Sequence, residues 1–265
     1  MALLVAWLAA TVPTFLLIFA RTAGFFIQAP VLSSRLLPLP VRVALMVGIS
    51  FAAIAVMPDY ARIPNVLWAF IMLIMQELLV GFLFGFAANI LFQAVQSAGE
   101  LAGVQSGMSA ASVQNPFTRT NVNAFGTLYF NVGLLLFLVM GGHLWMLGAY
   151  MQSFRLIPLG SFAMNDALAT HLITMSGIFL TITIQLALPV LVVVLLADLG
   201  VGYMSKVSPQ ASSLTQDLIL IAKPVAGLSM LTLLLPNLMS VLYRHTERMI
   251  DDLNVLMRVA STLVS

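Results

Sequence analysis

Glu77 is the one ionisable residue set deep inside an apolar segment of this chain. Hydrocarbon penalises charge, so an acid there is a functional candidate by default, and a proton-linked role is one reading. The plainer reading gives it a local partner, a polar side chain or a backbone group. Further along, Asn89, Gln93, Gln96 and Glu100 fall at i, i+4, i+7 and i+11, on one face of a helix. An unsatisfied amide is costly in lipid, so this face must meet water or polar protein. A pore wall and a polar seam between helices are equally compatible with it. His143, in the run MGGHLWM from Met140 to Met146, has the chemistry of a proton relay. Alternatively the glycine pair loosens a helix and the imidazole caps backbone or sits at an interface beside Trp145.

Other site chemistry does not assemble. With no Cys there is no disulfide, thiolate metal site or Cys nucleophile, and the three His residues are too widely spaced to form a ligand set. There is no Gly-x-x-x-x-Gly-Lys-Ser/Thr phosphate loop, and no nucleophile–base pair suggests itself. The expectation is a non-enzyme with no catalytic residue, no metal and no cofactor.

The elements that must position these residues follow from composition. The 265 residues are 61% hydrophobic and 8% charged, and the mean hydropathy is +1.06. An average soluble domain is about a quarter charged. This chain must therefore face lipid or many partner subunits, which excludes a soluble enzyme. A net charge of +2 gives no argument for nucleic acid. Charges punctuate six apolar segments, at roughly 1–20, 43–58, 66–99, 122–154, 167–197 and 218–243. About 20 residues of helix cross a bilayer core; the second segment is short by that measure and the third, fourth and fifth are overlong. Pro13, Pro58, Pro64, Pro189, Pro224 and Pro236 lie near or inside helices, and the backbone groups they free need partners. Broken, overlong helices suit a packed assembly better than a six-helix bundle. No internal repeat, soluble domain or linker is visible.

Residues 1–20 carry no charge and Arg21 follows, which reads as a retained first helix rather than a cleavable signal. Arg21, Arg35 and Arg42, taken as loop charges, place the N-terminus on the non-cytoplasmic side. Six spans would then put the basic tail with Arg244, Arg248 and Arg258 outside, so charge and span count conflict. Gly81-x-x-x-Gly85 permits a neighbouring helix to approach closely, either a partner's or this chain's own. From Leu242 to Val264 apolar and charged residues segregate as in an amphipathic helix, lying on the membrane or docked on a partner. Residues 103–121, GVQSGMSAASVQNPFTRTN, are small, polar and nearly uncharged, with Met108 and Phe117 as the large apolar side chains.

A set of ordered motifs covers nearly the whole chain: RTAGFFIQAPV from Arg21, ELLVGF from Glu77, AGELAGVQSG from Ala98, Asn115-Pro116, GHLW from Gly142, Leu188-Pro189, LADLGVG from Leu196 and VSPQ from Val207. Each alone is weak, but the ordered set resembles the FliR family of flagellar type III export gates, which includes the SctT proteins of virulence secretion systems. The resemblance implies an all-α protein with long, kinked helical hairpins. A FliP-like core at 1–185 would be joined to a FliQ-like hairpin and amphipathic terminal helix at 186–265. It implies a single-copy, non-enzymatic subunit that forms, with FliP and FliQ homologues, a pore for unfolded export substrates. That pore would lie in the bacterial inner membrane at the flagellar basal body, beside FlhB and FlhA homologues and in contact with membrane lipid. Its helices would lie largely above the bilayer plane, and energy would come from an ATPase complex and the proton motive force.

By the same resemblance a plug occupies about 103–119, including Gly103, Gln105, Ser106, Gly107, Met108, Ser109, Gln114, Asn115, Pro116 and Phe117. Met108 and Phe117 would fill the lumen, since Met packs adaptably, and the small residues would let the backbone rearrange. Asn115 stands where the family usually has Asp, so a gating carboxylate does not transfer. Lys206, Gln210 and Lys223 are implied contacts with a FliQ, FlhA or FlhB homologue, or else ordinary interfacial residues. The alternative class is a small-molecule secondary transporter, which calls for two related halves and charges near the midplane. Glu77 is alone and the halves look unrelated.

Overall fold

Every regular element among the described residues is a helix: α1 (Ala2–Gln28), α2 (Leu39–Val56), α3 (Leu67–Gln105), α4 (Ala124–Val139), α5 (Gly142–Leu156) and α6 (Asp166–Val207). The computed structural model describes residues 2–30, 32, 38–56, 64, 66–107, 123–162, 166–207, 222–230, 232–233, 236–245 and 255; stretches 222–230 and 236–245 are also helical. Thr11–Gln28, Leu67–Gln105 and Leu168–Val207 are long and apolar enough to cross a membrane, and α4 with α5 adds a fourth candidate if that interrupted pair is one span. At about 1.5 Å per residue α3 is about 58 Å long and α6 about 63 Å, roughly twice a hydrocarbon core of about 30 Å. The overlong third and fifth segments are thus single continuous helices, whereas the fourth is broken.

The break falls at Gly141, whose φ of +74° stops α4 and starts α5 without a side-chain cap. A Cβ there would meet nothing within 4 Å, so the glycine serves backbone conformation alone. Gly141→Ala is expected to destabilise the protein by about 1 kcal/mol, read as a lowered melting temperature in detergent. An unchanged melting temperature would show that the turn does not need glycine.

The first helix corrects one expectation. α1 does not end at residue 20 but runs through Arg21 to Gln28. Apolar packing continues past the charge, with Phe25 and Phe26 fully buried, and Arg21 itself has no exposed surface. It is a core residue, not a loop charge, and drops out of the orientation argument.

Packing divides the chain into two compact units, Met1–Ile90 with Gly141–Met175 and Thr246–Ser265, and Leu91–Met140 with Ser176–His245. In the first, α1 packs against α2, α3 and α5. Tyr150 stacks on Phe25 at 4.6 Å and meets Phe84 edge-on at 6.4 Å. Its hydroxyl shares a 2.8 Å hydrogen bond with Thr22, which also reaches the Ser50 hydroxyl at 3.1 Å. In the second unit Phe92 packs edge-on against Phe137 at 5.0 Å, and Ala102, Val190, Val194 and Met230 form a cluster. Outward-facing apolar side chains such as Trp68, Met72 and Met75 on α3 and Leu180, Ile184 and Leu188 on α6 suit a lipid or protein environment. Residue 185, where the resemblance sets a boundary, lies inside α6.

Candidate functional site

Two polar constructions stand out, one in each unit. In the first, Arg21 Nε donates to Glu77 Oε2 at 2.6 Å, with both side chains fully buried. Glu77 Oε1 accepts from the Gly160 backbone N–H at 2.8 Å. That N–H is presented by a turn in which Gly160 adopts φ +77°. Arg21 Nη1 donates to the carbonyls of Ile157 at 3.1 Å and Ser153 at 3.4 Å. These carbonyls end α5, where the helix dipole is negative and favours a cation; the Ser153 carbonyl also accepts from the Ile157 N–H at 2.8 Å. The guanidinium also lies 4.6 Å from the Phe154 ring centre, a cation–π contact. One residue back, the Gln76 amide donates to the Phe162 carbonyl. Glu77 thus has both a charged and a backbone partner within the unit, and the pair ties α1, α3 and the end of α5 together.

Glycine makes this proximity possible. A Cβ at Gly81 would overlap the Arg21 carbonyl, and one at Gly24 would overlap the Leu78 carbonyl. At Gly85 it would lie 2.6 Å from the Phe25 carbonyl. Gly81 and Gly85 therefore pack against α1 of the same chain.

The polar stripe divides between the units. Asn89 belongs to the first, where its amide donates to Gln28 Oε1 at 3.2 Å. In the second, Gln93 is exposed, while Gln96 Nε2 donates to Glu100 Oε1 at 2.9 Å. The Glu100 backbone carbonyl accepts from Asn123 Nδ2 at 3.0 Å. Asn123 also caps α4, its Oδ1 accepting from Phe125 N at 3.0 Å and Gly126 N at 3.4 Å. Gly99, Gly103 and Gly126 let these helix ends close: a Cβ on Gly99 would lie 2.7 Å from the Phe125 carbonyl, and one on Gly126 would overlap the Glu100 side chain.

The sequence profile of the family described as "Bacterial export proteins, family 1" matches residues 12–249. This chain belongs to that family. The chain is similar to the flagellar biosynthetic protein FliR of Escherichia coli K12, at 29% identity over 219 residues and 82% of each chain. It is similar to FliR of Bacillus subtilis at 28% identity, covering 75% of this chain and 77% of that one. It is also similar to the Yop proteins translocation protein T of Yersinia pestis, at 31% identity over 202 residues, 74% of this chain and 76% of that one. The buried ion pair, the polar stripe and Asn123 all lie inside the span matched to the export-protein family.

In this export protein the residues expected to form a plug begin inside α3. Gly103 and Gln105 are helical, Ser106 donates its hydroxyl to the Ala102 carbonyl at 2.7 Å, and Gly107 turns the chain at φ +76°. Gly103 is buried in α3, and a Cβ there would lie 2.5 Å from Asn123 Oδ1, so its missing side chain makes room for that amide. Met108, Ser109, Gln114, Asn115, Pro116 and Phe117 lie outside the described residues, as do Gln210 and most of the amphipathic terminal stretch.

Among the expected partner contacts, Lys223 pairs with Asp198 of α6 in the second unit, and Lys206 is exposed in the last turn of α6. His143 is half-buried in the first turn of α5, with Nδ1 lacking a hydrogen bond among the described residues. No three His, Asp or Glu side chains gather as metal ligands among the described residues. An open apolar groove of about 260 Å³ runs between α4 and the 222–230 helix, lined by Ala124, Phe125, Leu128, Pro224, Val225 and Leu228.

Sequence reasoning missed two residues. Arg21 was readable, since the apolar run resumes after it and an arginine inside such a run calls for an acid. Asn123 carried a signal too, as an Asn directly before an apolar helical run is a cap signature. Its second bond, to α3, had no signal in the local sequence.

Proposed function

We propose that this chain is a non-enzymatic, single-copy core subunit of the flagellar type III protein export gate. With FliP and FliQ homologues it lines the pore through which unfolded substrates cross the bacterial inner membrane at the basal body. The observation that carries this reading is the family match over residues 12–249, joined to relatives named as flagellar biosynthetic proteins. Three helices of spanning length and composition support a membrane location. In this reading residues 1–185 are the FliP-like part and 186–265 the FliQ-like part, with a plug at about 103–119 that closes the channel. Met108 and Phe117 fill the lumen, and a constriction of adaptable apolar side chains limits ion leakage while yielding to a polypeptide. Lys206, Gln210 and Lys223 meet FliQ, FlhB or FlhA homologues; Lys223 does so by sharing or exchanging Asp198.

The test is co-expression with the FliP and FliQ homologues. The expected product is one complex holding one copy of this chain. A single cysteine in place of Met108 should crosslink to a stalled export substrate, and deletion of residues 106–112 should raise ion leakage. A stable monomer that transports by itself would overturn the gate reading, whereas normal secretion without leakage or crosslink would reduce the segment to a connector. A second reading rests on the Yersinia relative: the same role in a virulence secretion system. Loss of flagellar filaments on deleting the gene supports the first reading, and loss of effector secretion with filaments intact supports the second.

A further inference from the structure

One side chain joins the last turns of α3 to the start of α4. α3 stops in the turn at Ser106 and Gly107, and Asn123, with extended backbone (φ −75°, ψ 113°), begins α4. Capping that helix needs only an acceptor oxygen, and Asp or Ser serves about as well as Asn. The Asn123 carboxamide does more, because its Nδ2 donates at 3.0 Å to the Glu100 carbonyl, on the last turns of α3. Packing converges on the same point. Gly103 gives up its side-chain volume to the Asn123 amide, and Gly126 gives up its own to the Glu100 stem. From the 222–230 helix, Gly227 abuts the same junction, where a Cβ would lie 2.6 Å from Ser106 Oγ and 3.3 Å from the Phe125 ring. All of these residues belong to the second compact unit.

We propose that Asn123 is a positioning residue for the plug at about 103–119, its carboxamide holding the end of α3, where that segment begins, against the start of α4. The proposal rests on the plug reading given above. Helix capping alone cannot account for the arrangement, since the donor half of the amide is spent on the other helix. Asn123→Asp separates the two roles. It keeps the cap and removes the donor, setting a carboxylate oxygen against the Glu100 carbonyl.

The experiment uses the full chain co-expressed with its gate partners. Two measurements are made on Asn123→Asp, on Asn123→Ser as a second capping residue, and on the deletion of 106–112. One is ion leakage of vesicles holding the complex. The other is spin–spin broadening between labels on cysteines placed at Val104 and Leu128, both exposed on their helices, in a chain with no natural cysteine. Loss of one net hydrogen bond changes an equilibrium constant about fivefold. Asn123→Asp should therefore assemble normally, lose broadening, and leak about fivefold more than the parent, and Asn123→Ser should behave alike. Broadening and leakage equal to the parent would overturn the proposal. So would lost broadening with parental leakage while the deletion leaks, since Asn123 would then tie helices without positioning the plug. A deletion that does not leak counts against the plug reading itself, and with it against this role for Asn123.

Discussion

Replacing Glu77 with leucine is expected to remove most of the folded protein from the membrane. The substitution leaves the Arg21 guanidinium at 0% exposure, facing the α5 carbonyls and an aromatic ring but no counter-charge. Breaking a buried pair from one side typically costs about 3–5 kcal/mol, against a whole-domain stability of about 5–15 kcal/mol. The reverse change, Arg21→Met, should be milder. Methionine fills much of the same channel, and a lone carboxyl can neutralise by taking a proton where a guanidinium cannot. The double variant should recover much of the loss, because replacing a buried pair by apolar groups of similar volume is often close to neutral. Abundance in the membrane fraction and the melting temperature in detergent report the ranking. A Glu77→Leu protein as stable as the parent would show that the pair does not hold these helices. The double variant also separates the two readings of Glu77: export by an assembled double variant assigns Glu77 to structure, whereas assembly without export assigns it a proton-linked duty.

Gly81→Leu should be about as damaging, for a steric reason that is coupled to the first. The new Cβ would fall on the Arg21 carbonyl, and a backbone carbonyl in a packed helix cannot swing aside as a side-chain tip does. Overpacking costs about 1–3 kcal/mol where side chains can adjust and more where they cannot. Parting α1 from α3 at this level also draws Arg21 away from Glu77, one turn earlier on the same helix. Combining Gly81→Leu with Glu77→Leu should therefore cost less than the two single losses together, because both break one contact. Gly48→Ala and Gly177→Ala are the controls. A Cβ at either meets nothing within 4 Å, and alanine in a helix is favoured over glycine by about 0.5–1 kcal/mol. Equal melting temperatures for Gly81→Leu and these controls would refute the close approach.

Much of this protein was legible before any coordinates. Sixty-one per cent apolar residues and so few charges call for a chain that faces lipid or partner subunits, and its long apolar segments suit helices, whose backbone groups are satisfied within the segment. The excess length of 66–99 and 167–197 and the glycine pair before His143 announced overlong and broken helices. Ordered motifs from Arg21 to Gln210 carried the resemblance to an export family. Segment ends were read less well. Taking charge as the boundary of a helix misplaced Arg21, since a charge ends an apolar segment only when nothing buried neutralises it.

By itself, then, the sequence determined the environment, the helical class, the family resemblance and the residue types that had to find partners. Glu77 needed one, the stripe from Asn89 to Glu100 needed several, and Gly81 and Gly85 needed a close neighbour. Tertiary structure alone decided who those partners are. Arg21 lies fifty-six residues from Glu77, the Glu100 carbonyl is claimed by Asn123 across twenty-three, and the glycines meet their own α1 rather than a second subunit. Periodicity reports which way a side chain faces along its own helix, whereas pairing depends on how separate helices pack, and no local spacing encodes that.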